Sequence, residues 1–205
     1  FSGTNSKDYS FSILLSKPKF VEDKVLLENN QVKMIFSADD RKKTGLIFYA
    51  AFLEAKNRRF PLPEGNGMTL KRVRQMREKL ITSSKVAFRT VTGGGLVVRE
   101  HEREKNRDKY YTYKDSGFDE NLKKGLKVQA KTAGFSENMV EELVMTPVQC
   151  KKVLVKHYGV YIDVTVGIFY LEGDSDLLQY FYQAGIGSRH SEGYGLLDII
   201  SQENE

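Results

Sequence analysis

An α+β fold of two tandem βαββαβ units with antiparallel sheets is what this sequence predicts, on three observations. Short β-dense runs alternate with helix-patterned runs along the whole chain. In the second half the order strand, helix, strand, turn, strand, helix, strand is complete, and the first half shows the later part of the same order. The length of 205 residues, with 40% hydrophobic and 29% charged residues, suits one ordinary domain or two small ones and is a globular composition.

In chain order, Tyr9 to Leu15 has the aromatic and branched density of a strand. Lys24 to Leu27 and Gln31 to Phe36 predict a hairpin around Glu28-Asn29-Asn30. Thr44 to Lys56 predicts a helix with Leu46, Tyr49, Ala50 and Leu53 on its apolar stripe. Pro61, Pro63 and Glu64-Gly65-Asn66-Gly67 break the chain. Met68 to Ile81 fits either a helix face (Leu70, Val73, Met76, Leu80) or a strand face (Leu70, Arg72, Arg74, Met76). Lys85 to Thr90 and Leu96 to Arg99 predict strands around Gly93-Gly94-Gly95, and the charged run Arg99 to Lys109 predicts a mobile hairpin.

Asp119 to Lys131 predicts a helix, and Val153 to His157 and Tyr161 to Leu171 predict strands. Asp174 to Ala184 predicts a helix capped by Asp174 or Ser175, with Leu177, Leu178, Phe181 and Tyr182 inward. Leu196 to Ile200 closes the unit as a strand. The pattern is ferredoxin-like, also called RRM-like. Residues 1–83 form a first unit without its opening strand and helix, and residues 84–205 form a second. Because the sequence opens on Phe1 rather than Met, a preceding N-terminal piece is expected.

Composition narrows the function. Thirty-two Lys+Arg against 27 Asp+Glu give a net charge of +5, which leans toward an anionic partner. The single Cys150 forms no internal disulfide and fits no zinc spacing, so no metal and no cofactor is expected. No apolar run reaches the ~18 residues of a membrane span, and the opening segment is no signal peptide, so a soluble, cytoplasmic protein with no membrane partner is expected.

The sharpest motif is the glycine loop, Ala184 to Gly195, which has Gly185, Gly187, Gly193 and Gly195 in a G-x-G-x5-G-x-G pattern. Such glycines allow close backbone approach and positive φ. Their amides, with Arg189 and the Ser188 and Ser191 hydroxyls, are candidates to hold phosphate; the plainer reading is a loop that turns back to the sheet. Lys71, Arg72, Arg74, Arg77 and Lys79 place five cations within nine residues against Glu78, a ridge suited to a phosphate backbone or to a solvated face. Arg99, Arg103, Lys105, Arg107 and Lys109 are nearly balanced by Glu100, Glu102, Glu104 and Asp108. Tyr110, Tyr111 and Tyr113 are candidates for stacking on unpaired bases or for the core. His190, beside Arg189, is the best histidine for proton transfer or a phosphate contact, His101 reads as a charged surface strand, and His157 has no assigned role.

Lys152 to Gly159 (KVLVKHYG), Asp174 to Ala184, the glycine loop, Gly95 to His101 (GLVVREH) and Lys7 to Ser12 (KDYSFS) together resemble the Cas6 family of CRISPR repeat endoribonucleases, in the RAMP superfamily. The resemblance runs over essentially the whole chain; Gly93-Gly94-Gly95 departs from it, standing where members usually carry Leu-Ser-Pro. It implies a metal-independent cut within the repeat of precursor CRISPR RNA. The 2′-hydroxyl attacks the adjacent phosphate and leaves a 2′,3′-cyclic phosphate and a 5′-hydroxyl. Lys7 matches the position of the family's lysine, and the family's His and Tyr would precede Phe1.

The implied partners are CRISPR repeat RNA or crRNA and other Cas proteins of an effector complex, with monomer and homodimer both open. A non-cleaving repeat-binding protein on the same scaffold is the alternative. A generic RNA-recognition module is disfavoured because the RNP pattern is absent.

Overall fold

The computed structural model describes residues 6–22, 24–102, 104 and 106–203. Phe1, Arg103 and Lys105 lie outside these residues. Among the described residues, no helix is long and apolar enough to cross a membrane.

The described residues form twelve strands and four helices in the order β1 (Tyr9–Leu15), β2 (Lys19–Val21), β3 (Lys24–Leu26), β4 (Val32–Ala38), α1 (Thr44–Ala55), β5 (Arg59–Pro61), β6 (Gly67–Thr69), β7 (Lys85–Thr90), β8 (Val98–Glu102), β9 (Arg107–Tyr111), α2 (Phe118–Thr132), α3 (Glu137–Glu141), β10 (Val144–His157), β11 (Val160–Glu172), α4 (Ser175–Ala184) and β12 (Leu197–Gln202). The second half makes a four-stranded antiparallel sheet in the order β10-β11-β7-β12, with α2 and α4 as its crossovers. That order is the ferredoxin-like one, with the β8–β9 hairpin inserted before the first crossover helix. The first half pairs β1 with β4 and packs α1 on them.

The large core lies under α2 and α4. Leu122 and Leu126 from α2 and Leu177, Leu178 and Phe181 from α4 are buried against Val86, Phe88, Phe169, Leu171, Leu197 and Ile199 of the sheet. Removing each such side chain from water contributes roughly 1.5–3 kcal/mol, so this unit sets the stability of the chain. The α4 N-terminus is capped as its sequence requires, with the Asp174 carboxylate accepting from the Asp176 and Leu177 amides. Tyr180, absent from the expected inward face, is also buried, and burial pushes its phenol up to about 12.

Several elements differ from the sequence expectation. Glu28 to Asn30 is no hairpin turn: β3 pairs backward with β2, and β4 pairs with β1. The helix α1 turns Phe48 and Phe52, not Leu46 and Leu53, toward the sheet, where they meet Phe36 at ring separations of 4.6 and 5.5 Å. The two strands cover only one stripe of an apolar helix, so its other faces stay exposed. Residues 70–80 form neither the helix nor the strand allowed by their pattern; they run as irregular chain. The strand β10 starts nine residues earlier than expected, through a bulge between Pro147 and Gln149 that accommodates the proline.

Candidate nucleic-acid interface

The two halves meet where β1 crosses the glycine loop. Gly185 stands so close to β1 that an added Cβ would lie 2.6 Å from the Ser10 Cβ. Its φ of +86° is also one that side chains rarely adopt. Gly187 approaches the chain ahead of β8 in the same way, where a Cβ would lie 2.6 Å from Leu96 Cδ1 and 2.7 Å from the Val97 carbonyl oxygen. The loop amides are used internally: Ile186 donates to Gly195, Ser188 to Val97 at 2.8 Å, Glu192 to Arg189 and Gly195 to Gly95 at 2.7 Å. These glycines therefore bring protein to protein. The Ser188 and Ser191 hydroxyls are half-buried and make no hydrogen bond among the described residues. The same crowding accounts for Gly93-Gly94-Gly95, since a Cβ on Gly94 would lie 2.9 Å from the Gly193 carbonyl oxygen and one on Gly95 would strike Val164.

Arg189 is not a free cation. Its guanidinium donates to Glu192 at 2.8 Å, to the Tyr110 hydroxyl at 3.0 Å and to Asp108 at 3.3 Å, and it lies 3.1 Å from His157 Nε2. Asp108 also accepts from Arg99 at 3.1 Å and sits 2.8 Å from His101 Nδ1, while His157 sits 2.8 Å from Glu192. Burial pushes both carboxyls up, but the hydrogen bonds outweigh it and hold them below the usual carboxylate range: His101 and Arg99 on Asp108, Arg189 and His157 on Glu192. This cluster ties the β8–β9 hairpin, the tip of the β10–β11 hairpin and the glycine loop together. Tyr111 is a core residue, which removes it as a stacking candidate, and Tyr113 is half-buried against the core and donates to the Cys150 carbonyl at 2.7 Å.

His190 is 5% exposed. Its Nδ1 lies 2.8 Å from the Tyr9 carbonyl oxygen, and its Nε2 lies 3.3 Å from the Ser6 hydroxyl. Burial lowers its pKa, against the opposing pull of hydrogen bonds to the Tyr9 and Ala184 backbone, so the ring is neutral at pH 7. Lys7, between those two contacts in sequence, is exposed and pairs with no described residue.

The basic ridge has the opposite character. Lys71, Arg72, Arg74 and Arg77 are all exposed and make no ion pair with any described residue. The stretch is anchored at its far end, where Lys79 donates to the Ile199 carbonyl at 2.9 Å and meets Asp198 at 3.2 Å, and Glu78 accepts from Gln179 and Gln183. No hydrogen bond or ion pair joins residues 71–77 to the glycine loop among the described residues. His190 thus bonds residues on either side of Lys7, and no hydrogen bond or ion pair ties the ridge to them among the described residues.

The family described as CRISPR associated protein Cas6, C-terminal, matches residues 75–199. The chain belongs to the Cas6 family. Its fold is also that of solved members. The structure reported as a Cas6-related gene product of Pyrococcus furiosus aligns with a TM-score of 0.76 at 18% identity, over 98% of this chain and 81% of that one. A RAMP protein reported as binding different RNA substrates aligns with a TM-score of 0.69 at 18% identity, over 97% and 81%. A Cas6 product complex aligns with a TM-score of 0.63 at 15% identity, over 96% and 84%. At these identities the likeness is one of fold. No curated protein matches the chain by sequence.

The partners of Arg189 escaped the sequence reading. Asp108, Tyr110 and His157 lie 81, 79 and 32 residues from it, and no local spacing links them.

Proposed function

We propose that this Cas6-family protein binds CRISPR repeat RNA and cuts it within the repeat by attack of the 2′-hydroxyl on the adjacent phosphate. The new bond is 2′-oxygen to phosphorus, and the bond that breaks is phosphorus to the 5′-oxygen. A base takes the 2′ proton, and the leaving 5′-oxygen takes a proton. Negative charge gathers on the non-bridging oxygens in between, and the ammonium of Lys7 is the cation assigned to it. The observation that supports this most is the placement of Lys7: exposed, without an ion-pair partner among the described residues, and flanked by Ser6 and Tyr9, which are bonded to His190 of the glycine loop.

RNA affinity is assigned to Lys71, Arg72, Arg74 and Arg77, whose charge is not cancelled within the protein. Arg189 and the loop glycines Gly185, Gly187 and Gly195 are assigned to the architecture around that site, because their contacts are to the protein. Ser188, Ser191 and Gly193 keep their proposed place beside the RNA. His190 is not assigned proton transfer, since its ring is buried with both nitrogens engaged.

The test is incubation of the natural full-length protein with a CRISPR repeat RNA in EDTA, with and without a 2′-deoxy nucleotide at the cut. Cleavage that survives EDTA and stops with the 2′-deoxy substitution is expected. Tight binding with the RNA left intact would instead establish the non-cleaving repeat-binding protein.

A further inference from the structure

The glycine loop presents one side chain to β1 whose two ring nitrogens reach either side of Lys7. A backbone carbonyl only accepts, so at 2.8 Å from the Tyr9 oxygen it is Nδ1 of His190 that carries the proton. The neutral ring then has Nε2 free to accept from the Ser6 hydroxyl at 3.3 Å. Ser6 and Tyr9 bracket Lys7 and Asp8. The neighbouring contacts make the anchor stiff. Gln129 of α2 donates to the Gly185 carbonyl at 2.6 Å, and Tyr180 of α4 donates to the Gln129 carbonyl at 3.2 Å. On the other side of Lys7, Asp8 accepts from Thr44 at 2.8 Å. Arg41 bonds Asp39 and the Ala133 carbonyl at 2.9 Å each, with its guanidinium 4.7 Å from both the Phe135 and Tyr180 rings.

We propose that His190 is a positioning residue, which fixes the backbone around Lys7 against the glycine loop through its hydrogen bonds to Ser6 and Tyr9. A lysine side chain has a long flexible stem, so the direction in which its ammonium reaches is set by where its Cα is held. A displacement of about 1 Å at a reacting centre costs on the order of 100-fold in rate. The proposal rests on Lys7 being the cation at the scissile phosphate, and its test separates the two.

Two variants of the natural full-length protein divide the ring's functions. His190→Asn keeps a donor at the position of Nδ1 and loses the ring volume. His190→Phe keeps the ring volume and loses the donor. Single-turnover cleavage, repeat affinity measured with 2′-deoxy RNA, and amide exchange at residues 7–10 are followed for both, alone and combined with Lys7→Ala. His190→Phe is expected to slow the cut by roughly 10- to 100-fold with repeat affinity within about twofold of the parent. His190→Asn should recover most of that rate, and His190→Phe should add nothing once Lys7 is Ala.

Cleavage by His190→Phe at the parent rate would overturn the proposal. So would loss of all cleavage in His190→Asn together with one limb of the pH–rate profile, which would make the imidazole a proton-transfer group. Should Lys7→Ala cut normally, the role given to Lys7 falls; faster exchange at residues 7–10 in His190→Phe, restored in His190→Asn, would still establish the anchor. If the parent protein binds repeat RNA without cutting it, the same exchange comparison decides, and equal exchange in both variants overturns the anchor.

Discussion

The glycine loop and the stretch 71–77 carry the same kind of cation in opposite surroundings. In the loop, the guanidinium of Arg189 is enclosed by Asp108, Glu192 and the Tyr110 hydroxyl, and the amides of Gly185, Ile186, Ser188, Glu192 and Gly195 are bonded to the protein's own backbone. Along 71–77, four cations are exposed and unpaired on chain that belongs to no helix or sheet. A motif of fixed spacing here has its groups bonded within the protein, while a stretch with no motif leaves its cations unpaired among the described residues. Counterion release requires cations that are not already neutralised, so binding strength should follow the second region.

The largest expected effect sets chemistry apart from both regions. Lys7→Ala should lower the single-turnover rate by roughly 100- to 1000-fold while leaving repeat affinity nearly unchanged, if the ammonium meets the developing charge as proposed. An unchanged rate would remove Lys7 from the chemistry and leave the loop holding a strand of no catalytic consequence. Next comes Gly187→Val, expected to lower folding stability by about 2–4 kcal/mol in a denaturant titration. The new side chain would collide with Leu96 and the Val97 carbonyl at a φ of +83°. A variant that folds normally but binds repeat RNA poorly would show that this glycine faces RNA after all.

Replacing Arg72, Arg74 and Arg77 together by Ala should weaken repeat binding by at least about tenfold at physiological salt, with the unfolding midpoint unchanged. The smallest effect concerns the enclosed cluster. Asp108 and Glu192 are held below their ordinary range in the folded state, so the stability they supply is present above the unfolded carboxyl range near pH 4 and is lost as pH falls through their folded values. Thermal midpoints of the parent should fall as pH drops below the unfolded carboxyl range near pH 4, and Arg189→Gln should flatten that fall. Equal acid sensitivity in the two proteins would mean that the Arg189 pairs are not formed in solution.

What the sequence disclosed divides along the same line. The strands β1 and β7 and the helix α4 were legible because their signals are local: residue density, period and an Asp174 cap. The early half of β10 was hidden by Pro147, whose bulge is a property of the ladder rather than of the segment. Glu28-Asn29-Asn30 looked like a hairpin turn, but β4 found its partner in β1, where Phe11 and Phe36 lie opposite each other, and turn composition says nothing of such pairing. At the candidate site, Lys7 and the basic ridge could be picked out as residues, whereas the neutralisation of Arg189 could not. Its acidic partner Asp108 stands 81 positions away and meets it only through the fold.

The slope of repeat affinity against salt concentration tests the contrast most directly, measured for the parent, for Arg189→Gln and for the Arg72, Arg74 and Arg77 triple replacement. Each lost phosphate contact on a single strand lowers the slope by about 0.7. The triple replacement should therefore flatten it by about 2, and Arg189→Gln should leave it where the parent has it. A flattened slope for Arg189→Gln with an unaltered one for the triple replacement would contradict the account.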